Sequence, residues 1–224
     1  MRQGKSVVVV LTWIALCAPS LAFAAQADIS RHKLCPRSGS EVIASNKLVR
    51  IYTYPRTRVR YLLPRRTEAC LVSSGARMTL FQPEVPRRFR TSFEVVALSG
   101  TAIAYAVGHF GVDSGGTDVF VANIATRRVL SELPGEGFVD AGFAGGTYRT
   151  DFVLSRAGSS AWIDEEVGPV SNRTKTFIVH SAPAGEGTAV LDEGPSIAPH
   201  SLELRAGALS WQDAGVTRTA RLTP

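Results

Sequence analysis

The chain has 224 residues, enough for one ordinary domain with its own core, and a 45% hydrophobic content that excludes wholesale disorder. It carries 25 Lys/Arg against 19 Asp/Glu, unevenly placed. From Asp28 to Arg90, 14 basic residues face 4 acidic ones; from Thr91 to Pro224, 9 face 15, so a basic first third precedes an acidic remainder. Arginine outnumbers lysine 21 to 4, a bias of GC-rich bacterial genomes.

Residues 1–24 have the form of an export signal. Arg2 and Lys5 give a positive start, and Val7 to Leu16 is an apolar run. Pro19 and Ser20 break it, and Ala22-Phe23-Ala24 supplies small residues for cleavage, with Ala25 to Ala27 as a second option. The alternative is a retained anchor, for which the continuous apolar run is short. Leu16 stands where a lipidated Cys17 would need a small residue. Cleavage leaves Cys35 and Cys70, and an even count in an exported chain predicts a disulfide; two separate buried thiols are the alternative. Only His32 lies near them in sequence, so metal-ligand spacing is lacking. An N-terminal segment, 25–40, then leads into a single domain, 41–224.

Short runs rich in Val, Ile, Phe, Tyr and Trp, punctuated by Gly and Pro, predict strands throughout that domain. The first hairpin is Val42 to Tyr54, turning at Asn46-Lys47, followed by a second strand pair from Ala69 to Pro83. Val95 to Val107 gives the next hairpin, and Val119 to Pro134 its second pair. Phe152 to Asp164 and Leu202 to Asp213 repeat the frame: strand, Arg-Ala-Gly, strand, with Trp162 four residues after Gly158 and Trp211 four after Gly207. Such turns want residues that tolerate positive φ. Thr176 to Pro195 follows the third hairpin, and its tail Val190 to Pro195 matches Val129 to Pro134. The chain thus divides into four units, about 41–83, 93–134, 152–195 and 200–222, the last with room for two or three strands. Several runs are continuously apolar, as in strands buried on both faces.

Four short strands every 40 to 50 residues are the mark of propeller blades. In these repeats the chain resembles secreted bacterial β-propeller proteins with Trp-Asp-repeat-like or TolB-like blades. Val119 to Leu130 is similar to their outer strand pair, with Asn123 in the Asp place and Arg127 in the Gly place. The resemblance covers about Glu41 to Leu222 and transfers no functional residue. It implies an all-β, propeller-like array of about four short antiparallel sheet units, closed as a ring or left as an open stack; a β-sandwich is the alternative.

His109 to Asp118, HFGVDSGGTD, contains the Asp-Ser-Gly-Gly of a serine-protease nucleophile loop. That chemistry needs His, then Asp, then Ser, with the histidine on Ser Oγ. Between His32 and Asp113 there is no Asp, Val112 replaces a glycine and Thr117 a proline. His180 or His200 with Asp151 or Asp192 complete a triad only on paper. The stretch reads instead as a glycine-rich loop between strands, matched in the next unit by the polar loop from Asp164 to Lys175. No catalytic residue is assigned. Asp113 and Asp118 offer two carboxylates to Ca²⁺, a minority reading shared with Asp164, Glu165 and Glu166.

Arg50 to Arg66 is the candidate binding stretch. Arg56, Arg58 and Arg60 alternate, so an extended chain presents them on one face, with Tyr52 and Tyr54 nearby. The face suits an anionic partner; the bland account is an edge strand whose arginines prevent pairing. These readings predict a secreted, extracytoplasmic, non-catalytic binding module. Its partner is an envelope protein or an anionic glycan or wall polymer, with no nucleic acid and no membrane span after cleavage. The alternatives are an exported hydrolase using Ser114 or an acidic loop, and a structural envelope component.

Overall fold

The computed structural model describes residues 35, 38–54, 66–82, 90–110, 114–139, 146–168 and 174–222. Residues 1–24, Arg56, Arg58, Arg60 and Asp113 lie outside them. Fifteen strands make up the described secondary structure, in four consecutive antiparallel meanders. The first unit is β1 (Glu41–Ser45), β2 (Val49–Thr53), β3 (Thr67–Leu71) and β4 (Arg77–Phe81). The second is β5 (Arg90–Ser99), β6 (Ala102–Phe110), β7 (Ser114–Asn123) and β8 (Arg128–Val139). The third is β9 (Gly146–Leu154), β10 (Ser160–Val167), β11 (Lys175–Ala182) and β12 (Ala189–Gly194). The fourth has three strands, β13 (Glu203–Arg205), β14 (Ala208–Asp213) and β15 (Val216–Arg221). The second and third units join as one eight-stranded sheet, because Gly137 and Phe138 of β8 pair with Thr147 and Gly146 of β9.

The two faces of the inner units explain the continuous apolar runs. Successive side chains of a strand point to opposite faces. On β6, Ile103, Tyr105 and Val107 pack against Val49, Ile51, Ala69, Leu80 and Phe81 of the first unit. Their neighbours Ala102, Ala104 and Ala106 face the third unit, where Trp162, Leu154 and Ala182 meet them. Three small alanines leave room for the fully buried Trp162. On β10 the alternation repeats: Trp162 faces the second unit, while Ala161 and Ile163 join Leu209 and Trp211 of the fourth. At the far end, Ser210, Gln212, Thr217 and Thr219 are paired neighbours on the opposite face of β14 and β15, a polar cap.

Positive φ appears at three of the four predicted hairpin turns, at Gly100, Gly158 and Gly207, whereas Asn46-Lys47 turns without it. Asn46 accepts from the amides of Leu48 and Val49 at 2.8 and 2.9 Å, closing the first hairpin. Arg127 adopts φ 55° in the β7–β8 turn. Asn123 before it accepts from the Ala125 amide at 2.9 Å. Gly158 has φ 101°, and a Cβ there would lie 2.3 Å from Leu130 Cδ1 of the second unit. Gly158→Ala is therefore expected to cost about 1–2 kcal/mol, combining backbone strain with displacement of Leu130. Urea denaturation checks it; an unchanged midpoint would contradict the packing described.

Three expectations are corrected. Pro134 does not end the second unit: β8 runs on to Val139, because the ladder slips between Leu133 and Glu136 and the bulge accommodates a residue without an amide proton. HFGVDSGGTD is mostly ladder rather than loop. β6 reaches Phe110, β7 begins at Ser114, and His109 and Phe110 pair with Gly116 and Gly115. Residues 50–53 are no edge strand: β2 is hydrogen-bonded between β1 and β3.

Candidate functional site

In β2, Val49 and Ile51 enter the core, so Arg50 and Tyr52 take the other face. The β2–β3 register sets Arg50 opposite Cys70 and Tyr52 opposite Glu68. Cys35 and Cys70 form a disulfide with Cα atoms 6.0 Å apart, which fastens Cys35 to this face. The Arg50 guanidinium donates to the Cys35 carbonyl at 2.8 Å.

Glu68, only 4% exposed, organises the site beside the disulfide. Its Oε2 accepts from the phenols of Tyr52 at 3.0 Å and Tyr54 at 2.5 Å, while Arg66 reaches Oε1 at 2.6 Å. A carboxylate with two phenols and a guanidinium has its lone pairs used and its charge balanced, which burial requires. Burial, and then the hydrogen bond to Glu68, push the Tyr52 phenol pKa well up, so it stays a donor. Tyr52 is fully buried and offers no surface to a partner, whereas Tyr54 is half-buried. The Tyr54 amide donates to the Arg66 carbonyl at 3.1 Å, and the Arg66 guanidinium lies 5.7 Å from the Tyr54 ring centroid. Tyr54 and Arg66 therefore close the stem from which residues 55–65, with Arg56, Arg58 and Arg60, depart.

On the second unit, His109 Nε2 lies 3.4 Å from Asp118 Oδ2, and both side chains are about half exposed. Ser114 is paired through its backbone with Val139. Among the described residues no group of three or more His, Cys, Asp and Glu is placed to hold a metal ion.

A second polar cluster, which joins Asp164 and His180 to Trp162 and Arg149, lies in the third unit on the side where Trp162 meets the second. Asp164, 5% exposed, accepts from Trp162 Nε1 at 2.8 Å and Arg149 Nε at 3.2 Å. His180 stacks on Trp162 with ring centroids 5.0 Å apart and brings Nε2 to 3.5 Å from Asp164. Asp164 and Glu165 lie in β10 rather than a solvated loop, held by cross-strand partners: Arg149 for the first, Lys175 at 2.5 Å for the second. His180 thus meets Asp164, not Asp151 or Asp192. Asp151 accepts from the Leu202 amide at 2.8 Å and Asp192 from Trp211 Nε1 at 2.7 Å, so both tie the third unit to the fourth. The available signal was Trp-x-Asp, present as Trp162 to Asp164 and Trp211 to Asp213, since residues i and i+2 of a strand share a face.

Burial lowers the His180 pKa; Asp164 opposes that, Arg149 adds to it, and Glu166 opposes it. A base depressed by folding takes up its proton first in the unfolded chain, so its contribution to stability is lost as pH falls below the ordinary histidine value. The melting temperature is expected to drop between about pH 7.5 and about pH 5.5, and His180→Phe, which keeps a ring on Trp162, to flatten that drop. Parallel pH profiles for the two proteins would exclude His180 as the source.

No helix among the described residues is long and apolar enough to cross a membrane. In comparisons with known proteins, no family model matches the chain, and neither a curated protein nor a solved structure matches it.

Proposed function

We propose that this chain is a secreted, non-catalytic binding module that acts at or outside the cell envelope, built as a propeller-like array of four blades. The blade reading is supported by consecutive units that pack face to face, with first strands touching: β5 with β9, and β9 with β13. Inner sheets covered on both faces favour it over a sandwich, where each sheet buries one face. The Cys35–Cys70 disulfide suits an oxidising compartment.

The observation that carries the binding assignment is the Glu68 cluster. It fixes Tyr54 and Arg66 as a stem under the most basic run in the sequence. Arg56, Arg58 and Arg60 then meet an anionic glycan or wall polymer from a rigid base. Retention on such material is expected to fall about tenfold when all three become Ala, the middle of the range given by roughly 0.2–1 kcal/mol for each exposed charge contact. Equal retention removes the basic stretch from the site. Labelling by a reactive-serine probe that vanishes in Ser114→Ala would overturn the non-catalytic assignment in favour of an exported hydrolase.

A further inference from the structure

Antiparallel meanders send alternate connections to opposite ends of the molecule. One end collects the short hairpin turns. There Asn46 Nδ2 donates to the Gly100 carbonyl at 2.9 Å, and a Cβ on Gly100 would sit 3.4 Å from Arg156 Cγ. The Ala184 amide donates to Ser159 Oγ at 3.2 Å, joining the two turns of the third unit. In the fourth unit the bridge between Ile197 and Asp213 puts the β14–β15 turn at the opposite end, which leaves Ala206-Gly207 at this one.

The charges on these turns are one-sided. Lys47, Arg127, Arg128, Arg156, Arg205 and Arg221 are all exposed here, and Glu186 is the single acidic residue in these described turns. Arg205 also pairs with Glu203 at 2.9 Å. Three large aliphatic side chains stand at or beside the same turns: Leu48, Val129 and Val190, exposed by 47, 50 and 59%. Together the set gives this end exposed cations and exposed aliphatic chains at or beside its turns.

We propose that this end docks on an anionic phospholipid membrane. The cations meet headgroup phosphates, and the aliphatic chains enter the interfacial layer. A soluble polyanion matches the charges but leaves the aliphatic side chains in water. Short turns also let the end approach a flat surface closely. This surface is distinct from the Arg56, Arg58 and Arg60 stretch, which departs from the other end of β2.

The test is co-sedimentation of the purified chain with phosphatidylglycerol or phosphatidylcholine vesicles, against a Lys47→Gln, Arg128→Gln, Arg156→Gln variant. Both proteins share one N-terminus, so any binding by the apolar leader cancels. The expected result is preference for phosphatidylglycerol, weakened by salt, and about a 100-fold loss in the variant, from roughly 1 kcal/mol per cation near an anionic surface. Leu48→Ser with Val129→Ser is expected to weaken binding further without changing its salt dependence. The proposal is overturned if the variant binds like wild type, or if soluble polyglutamate is bound and vesicles are not. It is also overturned if replacing Arg56, Arg58 and Arg60, rather than the turn residues, abolishes vesicle binding.

Discussion

Asp164→Ala is expected to destabilise the protein by about 3–5 kcal/mol, the cost of removing one partner from a buried ion pair. The Arg149 and Asp164 side chains are 5 and 7% exposed and lie against Trp162, which packs in the interface with the second unit. Without the carboxylate, the guanidinium stays in that interface and the Trp162 indole N–H, 2.8 Å from Asp164 Oδ2, loses its acceptor. For a chain of this size the melting temperature falls by roughly 10 °C. Asp164→Asn keeps an acceptor for the indole and is expected to fall between the two. Asp213→Ala is the control: the same Trp-x-Asp position, but paired with an Arg218 that is 55% exposed, and expected to melt close to wild type. If the Asp164 and Asp213 variants melt alike, burial of the Asp164 cluster does not make it a larger source of stability than the exposed Asp213 pair.

The second large effect is expected from Cys70→Ser. The disulfide closes a loop of 35 residues, and loop-closure entropy assigns it about 4 kcal/mol of stability. The sulfurs also fill a buried cluster with Tyr52, so a serine there loses packing as well. Reduction of the wild type should reproduce the loss, and Cys35→Ser should match Cys70→Ser, since either substitution removes the same bond. Loss confined to one cysteine variant would show that side-chain packing, not the cross-link, is responsible.

Much of the fold was legible because local signals agreed. Gly158 and Gly207 need positive φ, Trp162 and Trp211 stand four residues on, and Asn46 closes its turn through a side chain, all features of short range. Unit boundaries came within six residues for that reason, the largest differences being at the end of β8 and the start of β9. The continuous run on β6 announced two buried faces. Glu68 and Asp164 were illegible for a complementary reason. In sequence they look like solvated acids, and what buries them lies across a ladder: Tyr52, 16 residues away, and Arg149, 15 residues away. Only the register brings these together. His109 to Asp118 misled in the other direction: glycines that suggest a loop also fit a two-stranded ladder, where Gly115 and Gly116 face Phe110 and His109.

The order of the strands has a kinetic consequence. Among the described residues every ladder joins strands adjacent in the chain, and three core clusters each join consecutive units. Contact order among them is therefore low for an all-β protein, since none of these ladders is a Greek-key crossover that must close a long loop before it gains a contact. The chain can fold as it grows, each finished sheet serving as the template face for the next.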